Sequence, residues 1–302
     1  MADNDTRAVM GRPEDYTVDG LLPHLALAEG PSRGAVRVFS GESQLQRYRR
    51  TFGGQLMAQA LVAAGRTVEG SSSDRLVHSV HTTFLAGGDD ARPVDLLVEP
   101  LADGRSFSVR RVRVEQDGAL LATLQLSFQA ASEGMEHADP MPDVPGPEGV
   151  PDVASALAGV PEPYAVVTLL HGPIELRHVE GNLYSGAPQP NPSQSVWLKA
   201  REALPDDPLV HAAYLLYASD YSILEPALRA HGIAWSDPRL RQASLDHAMW
   251  FHRAGRADEW VLHSLHSPSG SGGRGLGMGR MYAADGRLLA SVAQEGMLRL
   301  KT

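Results

Sequence analysis

Asp117-Gly118-Ala119-Leu120-Leu121-Ala122-Thr123-Leu124 and Asp285-Gly286-Arg287-Leu288-Leu289-Ala290-Ser291-Val292 decide how this chain folds. Each begins with Asp-Gly and runs into an apolar, β-prone segment. Asp-Gly in that setting is a strong hairpin signal, because glycine takes positive φ at little cost. The two stretches share most of their letters, and each closes one half of the chain. That shared position makes an internal duplication a better reading than coincidence.

Working outward, the same plan stands before each stretch. In the first half, residues 55–68 have a one-face helical pattern carried by Leu56, Met57, Ala60, Leu61 and Ala64. Gly53 and Gly54 stand just ahead of it. Strand-like runs follow at 76–85, 94–101, 106–115 and 119–129, with Asp103-Gly104 and Asp117-Gly118 separating the last three. In the second half a long helical pattern covers 209–228, and strands are expected at 243–252, 260–267, 274–283 and 288–299. Between the halves stand Pro140, Pro142, Pro145, Pro147, Pro151, Pro161 and Pro163. Proline at that density blocks continuous helix and removes ladder donors, so an extended connector is predicted, with one short helix near 153–158. The expected division is an N-terminal unit at 1–133, a proline-rich linker at 134–163 and a C-terminal unit at 164–302.

One long helix followed by an antiparallel meander, done twice, is an α+β plan in which each sheet buries a face by wrapping around its helix. That is a double hotdog: two tandem helix-wrapped antiparallel sheets, placed side by side as one larger sheet. The bulk composition fits. The 302 residues are 43% hydrophobic and 21% charged, as expected for a globular chain with a sizeable core. The net charge of −9, with no long basic run, argues against a nucleic-acid partner. The absence of cysteine removes disulfides, thiolate nucleophiles and cysteine-ligated metals. Met1-Ala2-Asp3-Asn4-Asp5 is not a signal peptide, and no apolar stretch has membrane-spanning length, so a cytoplasmic protein without membrane attachment is expected.

Several blocks carry a family likeness. Phe52-Gly53-Gly54-Gln55, Arg75-Leu76-Val77-His78-Ser79-Val80-His81 and Asp103-Gly104-Arg105-Ser106-Phe107-Ser108-Val109-Arg110-Arg111-Val112 resemble the N-terminal half of the acyl-CoA thioesterase II family. Tyr217-Ala218-Ser219-Asp220, Ser244-Leu245-Asp246-His247-Ala248-Met249-Trp250-Phe251-His252-Arg253 and Gln294-Glu295-Gly296 resemble its second half. The resemblance runs from about Leu21 to the end, in order. It implies a double hotdog enzyme hydrolysing acyl-CoA to fatty acid and CoA. By motif position it assigns Asp220, Ser244 and Gln294 to holding the attacking water, with Ser244 standing where the family often has threonine.

Those three residue types suit the task. A thioester carbonyl is already activated, so the enzyme needs a positioned water, a proton acceptor and donors for developing charge. Asp220 accepts when ionised, Ser244 donates and accepts, and Gln294 does both with separate atoms. Strict strand alternation puts Ser244 and Asp246 on one face and His247 on the other, so Asp246 is expected beside the site and a supporting role is favoured for both. The alternating Gly273, Gly275, Gly277 and Gly279 have two readings: close packing, or ligand approach at Gly275 with Arg274 meeting a CoA phosphate. In the first half Gln55 and His81 are the best polar candidates for substrate contact. The His78/His81 and His263/His266 pairs have H-x-x-H spacing, but on strands they face opposite sides; no metal and no cofactor are expected. Two other classes stay open: an enoyl-CoA hydratase-like hotdog enzyme, which needs an Asp–His pair, and a non-catalytic acyl-CoA-binding sensor. Sheet faces and edges predict a homodimer or homotetramer.

Overall fold

The structure, a computed structural model, describes residues 20–46, 49–68, 75–157, 172–184, 186 and 190–301. The reading of the N-terminal residues and of the connector's last two prolines lies outside them. The first half forms helix α1 (Leu22–Leu25), strands β1 (Ala28–Glu29) and β2 (Arg37–Gly41), helix α2 (Gly53–Gly65), and strands β3 (Arg75–Phe84), β4 (Val94–Asp103), β5 (Phe107–Gln116) and β6 (Ala119–Ala130). Then come helix α3 (Val153–Ala156), β7 (Ile174–His178), β8 (Ser193–Ala200), helices α4 (Pro208–Ser219) and α5 (Glu225–Arg229), and β9 (Leu240–Ser244), β10 (Asp246–Phe251), β11 (Val261–Ser271), β12 (Arg274–Ala283) and β13 (Leu288–Leu300).

The strands make one antiparallel sheet in the order β1-β2-β4-β5-β6-β3-β10-β13-β12-β11-β8-β7, with β9 pairing the C-terminal end of β13. The halves join where β3 pairs β10, from Asp246↔Thr83 to Trp250↔Ser79. The hairpin turn at Asp117 and Gly118 has φ 51° and 80°, as the Asp-Gly signal requires. Strands β1, β2, β7 and β8 extend the predicted meanders at the sheet edges.

Helices α2 and α4 lie antiparallel on one side of this sheet. Gly54, at the start of α2, abuts the Tyr217 carbonyl near the end of α4, and Gly65 abuts Leu209 at the opposite end. Every residue from Gly54 to Gly65 is buried, because one side of α2 faces the sheet and the other faces its mate. The predicted helix 209–228 is broken. Pro226 has no N–H and its ring crowds the carbonyl four residues back, so one continuous helix cannot run on to Leu228; α4 ends at Ser219 and α5 begins after a turn.

The proline-rich connector packs against the second half. Trp197 donates its indole N–H to the Pro145 carbonyl at 2.8 Å, and Arg177 donates to Pro147 at 2.7 Å. Met141 and Val144 join a cluster with Val150, Trp197, Leu262 and Tyr282. Among the described residues no helix is long and apolar enough to cross a membrane.

Candidate active site

The break between α4 and α5 places Asp220 at the C-cap of α4, against the N-terminus of α2. The Gly54 N–H donates to Asp220 Oδ2 at 2.8 Å. Two glycines allow this approach. A Cβ at Gly53 would lie 2.9 Å from Asp220 Oδ2, and one at Gly54 would lie 2.6 Å from the Tyr217 carbonyl oxygen. The positive end of the α2 dipole therefore faces the carboxylate. Phe52, Tyr217 and Tyr221 pack ring to ring beside it. Burial dominates and pushes the Asp220 carboxyl above its usual range, while His247, a Gln294 hydrogen bond and the Gly54 N–H pull it back. Burial likewise raises the neighbouring Tyr221 phenol to about 12.

Ser244, His247 and Gln294 come from the sheet, and a β-bulge decides which way they face. β9 pairs β13 with Ser244 opposite Gly296, whereas β10 pairs it with Ala248 opposite Ala293. One extra residue, Leu245, thus sits on the β9–β10 side, and the alternation inverts across it. Ser244 and His247, three positions apart, therefore share the helix-covered face. The freed Glu295 N–H is satisfied by Asp246 Oδ1 at 2.8 Å.

The site's hydrogen bonds form a directed chain. Gln294 Nε2 donates to Ser244 Oγ at 2.9 Å, and the Gln294 side chain also bonds Asp220. An ionised carboxylate only accepts, so the amide must turn its NH2 toward Asp220 and its Oε1 toward His247. His247 Nδ1 lies 2.5 Å from Gln294 Oε1, so that nitrogen carries the proton. His247 Nε2 lies 3.0 Å from Ser219 Oγ, whose hydroxyl donates to the Leu216 carbonyl at 2.8 Å. His247 is 0% exposed, and burial holds its pKa below the usual histidine value, consistent with a neutral ring. The Ser244 hydroxyl keeps its own proton available to a ligand.

Strict alternation misplaced two residues, and the bulge is the physical reason. His247, expected on the opposite face, contacts Gln294 inside the site. Asp246, expected on the face of Ser244 with a supporting role favoured, holds the bulge by accepting from the Glu295 N–H. Other residues expected at the substrate stand outside the Asp220, Ser244 and Gln294 cluster. His81 is on the outer sheet face, its ring edge-on to Trp250 at 5.3 Å between centroids. Gln55 is buried and ties α2 to the segment before it, accepting from Gln44 N and donating to the Glu42 carbonyl. The glycine run is closely packed. A Cβ at Gly275 would strike Leu298 and Ala227, and one at Gly277 would strike the Ile223 carbonyl. Arg274 is exposed and paired with Glu295 at 2.9 Å. Of the H-x-x-H residues in the second half, His263 is buried and His266 exposed, on opposite faces.

Known proteins share both halves of this arrangement. Residues 43–129 match the family model described as acyl-CoA thioesterase N-terminal domain, and residues 175–297 match the one described as acyl-CoA thioesterase. The chain is 36% identical over 267 residues to acyl-CoA thioesterase 2 of Haemophilus influenzae, covering 87% of this chain and 92% of that protein. It is 37% identical to human acyl-coenzyme A thioesterase 8, over 87% of this chain and 85% of that one. The solved structure of an acyl-CoA thioesterase II, TesB2, from Mycobacterium marinum superposes with a TM-score of 0.76 at 36% identity, covering 94% of this chain and 99% of that one. The chain belongs to the acyl-CoA thioesterase family and has its double hotdog fold.

Proposed function

We propose that the protein hydrolyses acyl-CoA thioesters with a water held by Asp220, Ser244 and Gln294. Asp220 takes a proton as the water oxygen bonds to the carbonyl carbon. The Ser244 hydroxyl, held in place by the Gln294 amide, steadies the water and the growing negative charge. The carbon–sulfur bond then breaks, and the proton on Asp220 passes to the departing sulfur, giving carboxylic acid and CoA thiol. The observation that carries this reading is the Gln294 amide, bridging a hydroxyl and a raised-pKa carboxylate with its orientation fixed by His247.

His247 and Asp220, the residue types a hydratase would need, interact electrostatically and are bridged by Gln294. Both His247 nitrogens are engaged by protein groups and the ring is fully buried, so it has no route to an enoyl substrate. A basic edge supports a CoA ligand. Arg299 stands opposite Arg241 in the β13–β9 ladder, and Arg274 lies in the adjoining strand. We read the protein as a cytoplasmic enzyme of lipid metabolism, self-associating through the outer sheet face where Trp250, Met278 and Phe107 are exposed.

The test is thiol release from a panel of saturated acyl-CoAs, run beside enoyl-CoA hydration and equilibrium binding. Thiol release without hydration is expected. Hydration without thiol release favours the hydratase, and binding without either favours a sensor.

A further inference from the structure

The duplication extends to the site's scaffold. His81 pairs Gln125 across β3–β6, and Ala248 pairs Ala293 across β10–β13, while His81 and Ala248 face each other where the halves join. Those pairings make Val80 the counterpart of His247, and Leu126 the counterpart of Gln294. The bulge is duplicated too. Val77 faces Phe128 and Ser79 faces Ser127, leaving His78 as the extra residue where the second half has Leu245. Val77 therefore stands where Ser244 stands. The chemistry is gone from this end, since Val77, Val80 and Leu126 are apolar and buried.

The opening is not gone. A cavity of about 330 Å³ lies at this mirrored end, between the first residues of β3, the last of β6, the segment after β10 and the first turns of α4. Val77, Leu209, Leu215 and Phe251 give it an apolar interior. Arg75, His78, His252 and Arg253 also line it, and among the described residues that line it there is no Asp or Glu, in a chain of net charge −9. Arg75 donates to neutral partners, the Ser108 hydroxyl and the carbonyls of Gly104 and Arg105. Arg253 reaches Glu136, whose carboxylate is 78% exposed and easily exchanged for another anion. An apolar pocket with a few cationic groups at its polar wall suits a chain with an anionic head.

We infer that this cavity, the counterpart of the candidate active site in the first half, is a second, non-hydrolysing site for an acyl chain bearing an anionic head. The head is either the carboxylate of a free fatty acid or the phosphates of an acyl-CoA. The inference stands apart from turnover, because binding here requires no hydrolysis.

Photolabelling of the full chain carrying Asp220→Asn with a diazirine-bearing medium-chain fatty acid, followed by peptide mapping, tests it. Saturable adducts are expected within 75–78, 208–215 and 251–255. Excess decanoate or decanoyl-CoA should abolish them: loss with decanoate assigns the carboxylate head, and loss with decanoyl-CoA alone assigns the CoA ester. Arg253→Ser should weaken labelling about tenfold, the scale of one charge-assisted contact. Ala131→Trp, at the exposed rim, should block it without disturbing the core. Neither substitution should change thiol release from dilute acyl-CoA in the otherwise wild-type enzyme. Adducts confined to the surroundings of Asp220, labelling that neither competitor reduces, or labelling indifferent to both substitutions would overturn the inference.

Discussion

At the scale of single residues, the site balances an ionisable group against its burial. Asp220 is costly to ionise where it sits, and the Gly54 N–H, Gln294 and the α2 terminus offset part of that cost. Its pKa is raised, so the base is lost to protonation earlier than an ordinary carboxylate as pH falls. The acid limb of kcat against pH should therefore lie above the usual carboxylate range, and a limb at or below that range contradicts the assignment. His247 acts through Gln294. Without its Nδ1–H the amide can flip and turn its oxygen on Asp220. His247→Leu should lower kcat about 10²-fold with KM little changed, and His247→Asn, which restores a donor, should recover part of the loss. Equal activity in both variants would show that the ring only fills space.

At the scale of elements, two irregularities build the site: the bulge at Leu245 and the turn after α4. The turn is pressed onto β12, where Gly277 leaves room for the Ile223 carbonyl. Gly277→Ala should displace the turn that carries Asp220, cutting turnover more than stability, as paired kinetics and thermal melts would show. Behind the turn, α5 is anchored by a buried network. Glu225 accepts from Gln194 and from Trp235 Nε1, and Arg229 Nε donates to Gln194 Oε1 at 2.9 Å. Glu225→Ala should cost about 3–5 kcal/mol in denaturant unfolding, because it leaves Arg229 buried beside unmatched groups. Much of the element plan was legible in the sequence, since periodicity and Asp-Gly turns mark the long strands and helices. Which face His247 takes was not legible. A bulge has no compositional signature, and one extra residue reverses every side chain beyond it. The helix break did have a signal in Pro226, and it is this break that sets Asp220 at a helix end instead of on a helix face.

At the scale of the whole molecule, the two halves share one sheet and one core, and the polar trio occupies only one of two symmetry-related ends. The duplicated letters at Asp117 and Asp285 made the two halves visible in the sequence. The asymmetry of chemistry was also visible, as the lack of a matching trio in the first half. What the sequence did not reveal is that the first half supplies the Gly53–Gly54 end of α2 to the second half's site, a contact that only tertiary packing creates. The shared core also holds His178, His211, His247 and His263, each with a pKa depressed by burial, that of His263 to about 3. A depressed histidine stabilises the fold above its unfolded value of 6.5, and that stability is lost as pH falls below it. The unfolding free energy, and with it the denaturant midpoint, should therefore drop between pH 7 and pH 5, the former by up to about 1.4 kcal/mol per pH unit for each proton taken up. Asp220, with its raised pKa, works in the opposite sense, its contribution being lost as pH rises through the folded value. One such group against four leaves the direction unchanged, and a midpoint that rises toward pH 5 contradicts this.

The central claim is that a half-buried, ionised Asp220 is the proton acceptor for the attacking water. Asp220→Asn removes the charge and keeps the shape. Thiol release from acyl-CoA should fall by about 10²–10⁴-fold, while the melting temperature at pH 7 stays equal or rises, since a carboxylate disfavoured by burial has been neutralised. A variant that melts normally and still releases thiol at near the wild-type rate would contradict the account.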